Sequence, residues 1–243
     1  MTTKGLPHRP NAGGRGGIAA LNSSRAPYQA GRAREPINRS FGLVRGKFPS
    51  AKMGRMIHWE SQLERDAVFL FEFSPGVTAY REQPFTTYYA LDGKTRRYTP
   101  DFELTLSTGE LLVIEVKPAA KLKDPDMAKR FARIRDHFAS NDRPYRILTD
   151  TEIRQSALLE NLKIILRHRR AALTSFERRR TVELLPNATT FSFATAARLL
   201  GSDGVVWGLI CEGLLRCDLT QLVNDGTVLH IAREGASHDQ LLF

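Results

Sequence analysis

The chain has 243 residues, of which 42% are hydrophobic and 26% charged, so collagen-like, low-complexity and small disulfide-rich proteins are excluded. Its two cysteines, Cys211 and Cys217, cannot build a disulfide framework or a four-cysteine zinc site. The chain lacks a run of about 18 apolar residues, and its basic N-terminus lacks the apolar core of a secretory signal. We therefore expect a cytoplasmic protein that does not span a membrane.

The formal net charge of +10 is concentrated near the N-terminus. Residues 1–57 hold 11 Lys or Arg against one acid, Glu35, and also 9 of the 18 Gly and 5 of the 12 Pro. This composition predicts a flexible basic arm over residues 1–54, which either binds DNA, solubilises the protein or becomes ordered on a protein partner. The expected DNA contacts in the arm are Arg25, Arg32, Arg34, Arg39, Arg45 and Lys47.

A packed domain is predicted over residues 55–170, and its first part holds one helix and three strands. Apolar residues recur at helical spacing over residues 61–73, and Pro75 with Gly76 ends this helix. The strand-like runs cover residues 77–81, 85–91 and 96–106. We expect the last two to form a hairpin, because an Asp-Gly turn separates them.

The second part of this domain alternates strands with helices. The most apolar short run, residues 111–116, predicts a central strand, and residues 145–148 predict a further strand. Helices are predicted over residues 125–139 and from Asp150 or Thr151 to the end of the domain. This order indicates an α/β domain with a mixed sheet flanked by helices.

Residues 171–243 are predicted to form a separate, small winged-helix-like domain. Helices are expected over residues 173–185, 193–200 and 205–212, and strands over residues 214–218 and 228–232. The last of these helices has no Arg, Lys, Asn or Gln to read base edges. We therefore expect this domain to bind a protein partner.

One carboxylate and lysine pattern carries candidate chemistry. Asp101 follows Pro100 within a predicted strand, and Glu115 and Lys117 lie at the end of the next strand. Alternate side chains share a face of a strand, so Glu115 and Lys117 point the same way and Asp101 can meet Glu115. Such paired carboxylates suit Mg²⁺ or Mn²⁺, and Lys117 could then hold or deprotonate an attacking water. This set predicts phosphodiester hydrolysis.

A third carboxylate is expected from the preceding helix. Glu60 and Glu64 lie on one helical face, and Glu64 is preferred because it sits between apolar neighbours. Glu64, Asp101 and Glu115 are thus the predicted metal ligands, and Lys117 completes the predicted catalytic set. Gln83 is expected to orient water or phosphate near the metal, with a plain turn residue as its alternative.

These residues also have structural explanations. Ser61 and Glu64 match a capping box, in which Glu64 only satisfies a backbone N–H at the helix start. Asp101 and Lys117 could form a cross-strand ion pair, and Glu115 could be a solvated strand end. Charges that interrupt an apolar strand are costly unless they are used, which favours the catalytic interpretation.

A second basic cluster lies at the junction of the two predicted domains. It is expected to contact DNA phosphates without reading sequence, and a solvated helix face is the alternative. Its expected contacts are Arg167, Arg169 and Arg170.

Five segments resemble the TnsA family, the restriction-like endonuclease subunit of heteromeric transposases within the wider PD-(D/E)XK group. They are HWESQLERDAVFLFEF, TAYREQPF, YTPDFEL, LLVIEVKPAAKL and YRILTDTEIRQSALLENLKII, and they cover about residues 55–170. The resemblance implies a restriction-endonuclease-like mixed sheet followed by a winged-helix-like C-terminal domain. It also implies catalytic roles for Glu64, Asp101 and Lys117, whereas some family members carry Gln at the position of Glu115.

The resemblance further implies Mg²⁺-dependent cleavage of double-stranded DNA at transposon 5′ ends, with Mn²⁺ as a possible substitute. The implied partners are a DDE transposase and an AAA+ ATPase regulator. Two alternatives are a non-catalytic architectural subunit of a transposition complex and a stand-alone repair or restriction nuclease. The N-terminal arm has no counterpart in the family pattern, so its role rests on charge alone.

Overall fold

A computed structural model describes residues 44–169, 174, 183, 190–232 and 240–243. This part begins with two antiparallel strands, β1 (Gly46–Ser50) and β2 (Arg55–Trp59). Phe48 of β1 is 3% exposed, and its ring lies 5.3 Å from that of Phe69. The folded part thus begins at or before Gly46, within the stretch that we predicted to be a flexible arm, because alternate residues of β1 are buried.

The first helix, α1 (Gln62–Phe73), matches the predicted bounds. Ser61 caps its N-terminus, and its Oγ accepts a hydrogen bond from the backbone N–H of Glu64 at 3.1 Å. The apolar stripe of this helix, including Leu63, Ala67 and Leu70, is buried. Helix α1 therefore packs by the face that the sequence periodicity predicts.

Six further strands follow α1. They are β3 (Val77–Glu82), β4 (Thr87–Leu91), β5 (Lys94–Tyr98), β6 (Phe102–Leu106), β7 (Leu111–Val116) and β8 (Tyr145–Leu148). The central sheet has the order β3-β6-β7-β8, and only its β7–β8 pair is parallel. Strand β7 therefore lies inside the sheet, as its apolar sequence predicts.

Strands β5 and β6 were predicted to be one continuous strand, and the structure shows that this was wrong. Residues 99–101 are not in a strand. The strand before them, β5, pairs with β4, and the strand after them, β6, joins the central sheet. Pro100 has no backbone N–H for a ladder hydrogen bond. The predicted hairpin thus consists of β4 and β5, and Asp101 lies just before β6 instead of in mid-strand.

Helices cover both faces of the central sheet. They are α2 (Ala119–Leu122), α3 (Pro125–Ala139), α4 (Asp150–Ile153) and α5 (Ser156–His168). Helices α1 and α5 share one hydrophobic cluster with Ile114 and Val116 of β7, whereas α3 shares a second cluster with Val113. The predicted last helix is interrupted at Arg154 and Gln155, which separate α4 from α5. This mixed α/β architecture fits a restriction-endonuclease-like fold.

The described C-terminal elements comprise two helices and three short strands. They are β9 (Thr190–Ser192), α6 (Phe193–Leu200), α7 (Asp203–Cys211), β10 (Leu215–Arg216) and β11 (Val228–Ile231). The strands form an antiparallel sheet in the order β10-β11-β9, and β9 was not predicted. The helix predicted over residues 173–185 lies outside the described residues, apart from residues 174 and 183.

Helix α5 joins these C-terminal elements to the central domain. Asn161 of α5 is fully buried and donates hydrogen bonds to the carbonyls of Leu219 at 2.9 Å and Gln221 at 2.7 Å. Its Oδ1 accepts from the N–H of Val223 at 3.2 Å. Trp207 and other apolar residues of α7 belong to the same hydrophobic cluster as α1 and α5. The two regions therefore share one continuous core.

No helix in the described ranges is long and apolar enough to cross a membrane.

Phe71 provides a test of this core. Its side chain is fully buried, and its ring lies 5.2 Å from Phe102 and 5.5 Å from Phe243. We expect Phe71→Ala to lower the free energy of unfolding by about 3–5 kcal/mol, because it leaves a cavity at this centre. Tyr88→Ala, at a side chain that is 61% exposed, is the control and should cost much less. Equal losses in urea denaturation would contradict this packing.

Candidate active site

A cavity of about 190 Å³ brings together residues from the β1–β2 hairpin, the start of α1, the end of β3 and the residue before β6. Glu64, Gln83 and Asp101, all predicted as site residues, line it. Arg45 and Lys47 line the same cavity. Residues separated by up to 56 positions in the sequence, from Arg45 to Asp101, therefore meet at one site.

Asp101 is fixed at the junction of three strands. Its Oδ2 accepts a hydrogen bond from the backbone N–H of Val116 at 2.8 Å. Its carbonyl oxygen accepts from the backbone N–H of Gln83 at 2.8 Å. The break between β5 and β6 thus gives Asp101 two backbone contacts, which hold its carboxylate beside the end of β7.

Glu115 and Lys117 form an ion pair at the end of β7. Lys117 Nζ lies 2.8 Å from Glu115 Oε1. The hydroxyl of Tyr98 donates to Glu115 Oε2 at 2.6 Å, and the Tyr145 hydroxyl lies 3.3 Å from that of Tyr98. Glu115 is 4% exposed, so it is not a solvated strand end.

This arrangement differs from the predicted metal-ligand role of Glu115. Protein groups occupy both of its carboxylate oxygens. Glu115 therefore supports Lys117 in the described structure, and its predicted role as a metal ligand stays a prediction. The predicted cross-strand ion pair between Asp101 and Lys117 is absent among the described residues, in which Lys117 pairs with Glu115 instead.

Glu64 has both a structural role at the start of α1 and a place in the cavity. Its Oε2 accepts from the N–H of Glu60 at 2.7 Å, and its Oε1 accepts from the Ser61 hydroxyl at 3.0 Å. Glu64 thus binds a backbone N–H at the helix start, as predicted, but it is that of Glu60 and not that of the N-cap residue Ser61 that a capping box would use. Glu64 also lines the cavity with Asp101, so the cap holds its carboxylate in place there.

The electrostatics of the cavity disfavour the ionised forms of Asp101 and Glu64. Burial, followed by the charges of Glu115 and Glu64, raises the pKa of Asp101 well above its ordinary value, although Lys117 and the Val116 N–H act in the opposite direction. Burial likewise raises the pKa of Glu64. Burial alone would lower the pKa of Lys117, but the charges of Glu115, Asp101 and Glu64 outweigh it and raise this pKa. A further cation would relieve this excess of negative charge.

Four other carboxylates of this domain, all of them buried, differ from these two, because each is paired with arginine. The pairs are Glu82 with Arg55, Asp66 with Arg65 and Arg154, Glu72 with Arg169, and Glu103 with Arg81 and Arg143. Neither Asp101 nor Glu64 has such an ion pair with any described residue. Glu64 and Asp101 are half-buried, and half-buried carboxylates without an ion-pair partner in a cavity are typical of functional positions.

The candidate metal ligands of the described residues are carboxylates that line the cavity. Within residues 44–169 and the other described ranges, no group of three or more His, Cys, Asp or Glu side chains is arranged to hold a metal. Glu64 and Asp101 nevertheless offer hard oxygen ligands on the same cavity. Four carboxylates line the cavity, and Glu64 and Asp101 are the predicted metal ligands among them.

The predicted DNA contacts are placed in three different ways. Arg45 and Lys47 line the cavity, and Arg167 is exposed on α5. Arg169 instead lies 2.7 Å from Glu72 and also donates to the Pro49 carbonyl, so its guanidinium is engaged inside the protein. Arg25, Arg32, Arg34, Arg39 and Arg170 lie outside the described residues.

Several site residues were missed by sequence reasoning. Tyr98 and Tyr145 support Glu115, and Trp59 lines the cavity. The available signal for the hairpin that carries Trp59 was Gly54, which has a φ of +63° in the turn between β1 and β2. No sequence signal placed the two tyrosines behind Glu115, because they come from separate strands.

Comparison with protein families found one match. Residues 74–150, about a third of the chain, match the family described as TnsA-like endonuclease N terminal. This segment is similar to that family. The resemblance predicted from the sequence is thereby confirmed, and it supports a nuclease role in transposition. The matched residues include Gln83, Asp101, Glu115 and Lys117, whereas Glu64 and the β1–β2 hairpin precede them.

No curated protein matches the chain.

Tyr98 tests the support of Glu115. Tyr98→Phe should lower the free energy of unfolding by about 1–3 kcal/mol, because it leaves a buried carboxylate oxygen without its donor. Tyr89→Phe is a matched control, since Tyr89 is equally buried at 4% exposure and its ring lies 6.3 Å from that of Tyr98. Its hydroxyl has no hydrogen bond to a described residue, so this control should be nearly neutral in urea denaturation. Equal effects would contradict the contact.

The raised pKa of Asp101 predicts that, with a chelator present to remove metal ions, the protein becomes less stable as the pH rises. Because its folded pKa is raised, the unfolded chain loses this proton first as the pH rises above the ordinary value of 3.8, and stability falls until the folded pKa is passed. Asp101→Asn removes this penalty and should raise the Tm at neutral pH by a few degrees. The gain should shrink as the pH falls towards 3.8.

The control for this measurement is Asp142→Asn, at an exposed residue with a φ of +50° that Asn tolerates. Its Tm should follow that of the wild type across the same pH range. A lower Tm for Asp101→Asn at neutral pH would contradict the raised pKa.

Proposed function

We propose that this protein is the Mg²⁺-dependent DNA endonuclease subunit of a heteromeric transposase. It cuts double-stranded DNA at transposon 5′ ends, together with a DDE transposase and an AAA+ ATPase regulator. The observation that carries the proposal is the placement of Glu64 and Asp101 on one cavity, without a cationic partner among the described residues, beside the Glu115–Lys117 pair. The family match supports it.

The donor set fits a hard divalent cation. Burial raises the pKa of both carboxylates, and repulsion adds to it, from Glu115 and Glu64 at Asp101 and from Glu60 at Glu64. A bound Mg²⁺ or Mn²⁺ would relieve this excess of negative charge. Glu64 and Asp101 would hold the ion, while DNA phosphate and water complete its oxygen ligands. When bound, such an ion neutralises the phosphate and lowers the pKa of an attacking water.

Lys117 contributes as a hydrogen-bond donor to the reacting groups. Its pKa is raised, so it keeps its proton at neutral pH, and the ion pair with Glu115 fixes its direction. These facts favour holding of the attacking water or the scissile phosphate over removal of a proton from water.

Gln83 contributes a hydrogen-bond acceptor. Its Oε1 is buried and has no hydrogen-bond partner among the residues of known placement, although Gln83 lines the cavity. Its backbone has a φ of +44°, which is uncommon for a residue other than glycine, and its N–H is held by the Asp101 carbonyl. Gln83 Oε1 is thus placed to accept a hydrogen bond from the attacking water and so to orient it.

The C-terminal region is proposed to bind a protein partner. Its strand order, β10-β11-β9, with α6 and α7 between β9 and β10 in the chain, supports a winged-helix-like unit. In α7, Trp207 is 7% exposed and Leu209 is fully buried, so these apolar residues form core instead of reading DNA. Docking of the transposition partners is the role we assign to this region.

Calorimetric titration with Mn²⁺ tests the metal site without requiring partner-dependent cleavage. The full chain should bind Mn²⁺, and Asp101→Ala should weaken this binding at least tenfold, with or without a short DNA duplex, because a carboxylate ligand is lost. Lys117→Ala should retain Mn²⁺ affinity within a few fold but lose the cleavage rate in the assembled complex, since water positioning and metal ligation are separate tasks.

Two outcomes would contradict the proposal. Mn²⁺ binding that is unchanged in Asp101→Ala would show that the ion lies elsewhere. Absence of Mn²⁺ binding by the wild type, even with duplex present, would favour the architectural subunit. Asp142→Ala, at an exposed carboxylate outside the cavity, is the control and should bind Mn²⁺ like the wild type.

A further inference from the structure

The β1–β2 hairpin forms part of the wall of the candidate active site, although it lies outside the matched family segment. Gly46 and Lys47 of β1 and His58 and Trp59 of β2 line the same cavity as Asp101. In the hairpin, Lys47 is paired with His58 and Gly46 with Trp59. The hairpin thus presents cationic and aromatic groups next to the carboxylates.

Two buried glutamates anchor the hairpin to the nuclease core. Glu72 of α1 accepts from the Ser50 hydroxyl at 2.6 Å and from the N–H of Ala51 at 2.8 Å. Glu82 of β3 accepts two hydrogen bonds from Arg55, at 3.0 and 2.7 Å, and one from the N–H of His58 at 3.2 Å. The hairpin is therefore held at its turn and along β2, which fixes Lys47 and Trp59 relative to Asp101.

Gly46 allows an unusually close approach of the Trp59 ring. A Cβ atom at residue 46 would lie 2.2 Å from Trp59 Cζ2, so any other residue would displace the indole. The indole Nε1 is buried and has no hydrogen-bond partner among the described residues. A buried N–H donor without a protein acceptor is unusual, and in a residue that lines a cavity a ligand oxygen can satisfy it.

Lys47 supplies the charge for such a ligand. Its side chain is exposed at the cavity and makes neither an ion pair nor a hydrogen bond with the described residues. A lysine and an indole N–H together suit an anionic oxygen, and phosphate is the anion that accompanies a phosphodiester substrate. The Lys47 ammonium and the Trp59 N–H would recognise the charge and oxygen atoms of a phosphate, and not the identity of a base.

We propose that the β1–β2 hairpin is a phosphodiester subsite of the nuclease. Lys47 and the Trp59 N–H bind a backbone phosphate of the DNA strand that is cut, next to the scissile phosphate. This inference rests on the proposed function for its substrate, DNA. Its residues are separate from the metal ligands, so the two proposals can fail independently.

Tryptophan fluorescence tests the subsite directly. The chain has two tryptophans, so Trp207→Phe makes Trp59 the sole emitter. In this full-length variant, a short DNA duplex added in the presence of chelator should change Trp59 emission over the same concentration range as binding measured by fluorescence anisotropy of the labelled duplex. A duplex that binds without changing the emission would overturn the subsite.

Substitutions then separate the charge from the indole donor. Lys47→Ala should weaken duplex binding about 3–10-fold and reduce the slope of log affinity against log salt by about one, because one phosphate contact is lost. Trp59→Phe keeps an aromatic ring but lacks the N–H, and should weaken binding about 2–10-fold. Lys163→Ala, at an exposed lysine of α5 that does not line the cavity, is the control. Equal affinity and salt slope for Lys47→Ala and Lys163→Ala would overturn the proposal.

Inorganic phosphate distinguishes a DNA backbone site from a site for a free anion. The duplex should change Trp59 emission at a far lower phosphate-group concentration, because neighbouring phosphodiesters bind together. An equal response to inorganic phosphate would overturn the assignment to DNA. If Mn²⁺ binding does not depend on Asp101 but the Lys47 and Trp59 substitutions have the effects given above, the subsite is supported and the nuclease proposal is contradicted.

Discussion

The burial of negative charge is the physical constraint on which this structure depends. An unpaired buried carboxylate costs several kcal/mol, so a folded protein must neutralise it or use it. Arginines neutralise Glu72, Glu82 and Glu103, which lie within the scaffold. Asp101 and Glu64 have no such partner among the described residues, and they share a cavity. Pairing by arginine thus separates the structural carboxylates from the candidate catalytic ones.

The neutralised carboxylates also place the walls of the site. Glu72 is bound at the same time by the hairpin turn, the Tyr80 hydroxyl at 2.7 Å and Arg169 at the end of α5. A single buried side chain therefore connects α1, β3, the hairpin and the start of the C-terminal region. Since the hairpin reaches the cavity, a displacement near Arg169 has a short structural route to the site. The buried Asn161 makes a second connection between α5 and the C-terminal elements.

Sequence patterns predicted the regular elements well where hydrophobic periodicity was strong. Residues 125–139 and 145–148 have the predicted bounds, as does β7, because their burial follows from local spacing. The predictions failed where one residue changed the hydrogen bonding. Pro100 splits the predicted strand, and the chain also breaks at Arg154 and Gln155 between α4 and α5. Strand β1 was missed because glycine and basic residues hide its alternation, although Phe48 is buried.

The sequence by itself determined the residue types of the candidate site. Asp101, Glu115, Lys117 and Glu64 stand in a pattern that predicts phosphodiester hydrolysis, because local strand and helix geometry limits where their side chains point. Only the tertiary structure decided which partners these side chains contact. In the folded protein Glu115 contacts Lys117 and Tyr98, and Arg169 contacts Glu72. Lys47 and Trp59 line the cavity. These partners are distant in the chain, and pairing between distant residues depends on how the elements pack, which no local spacing encodes.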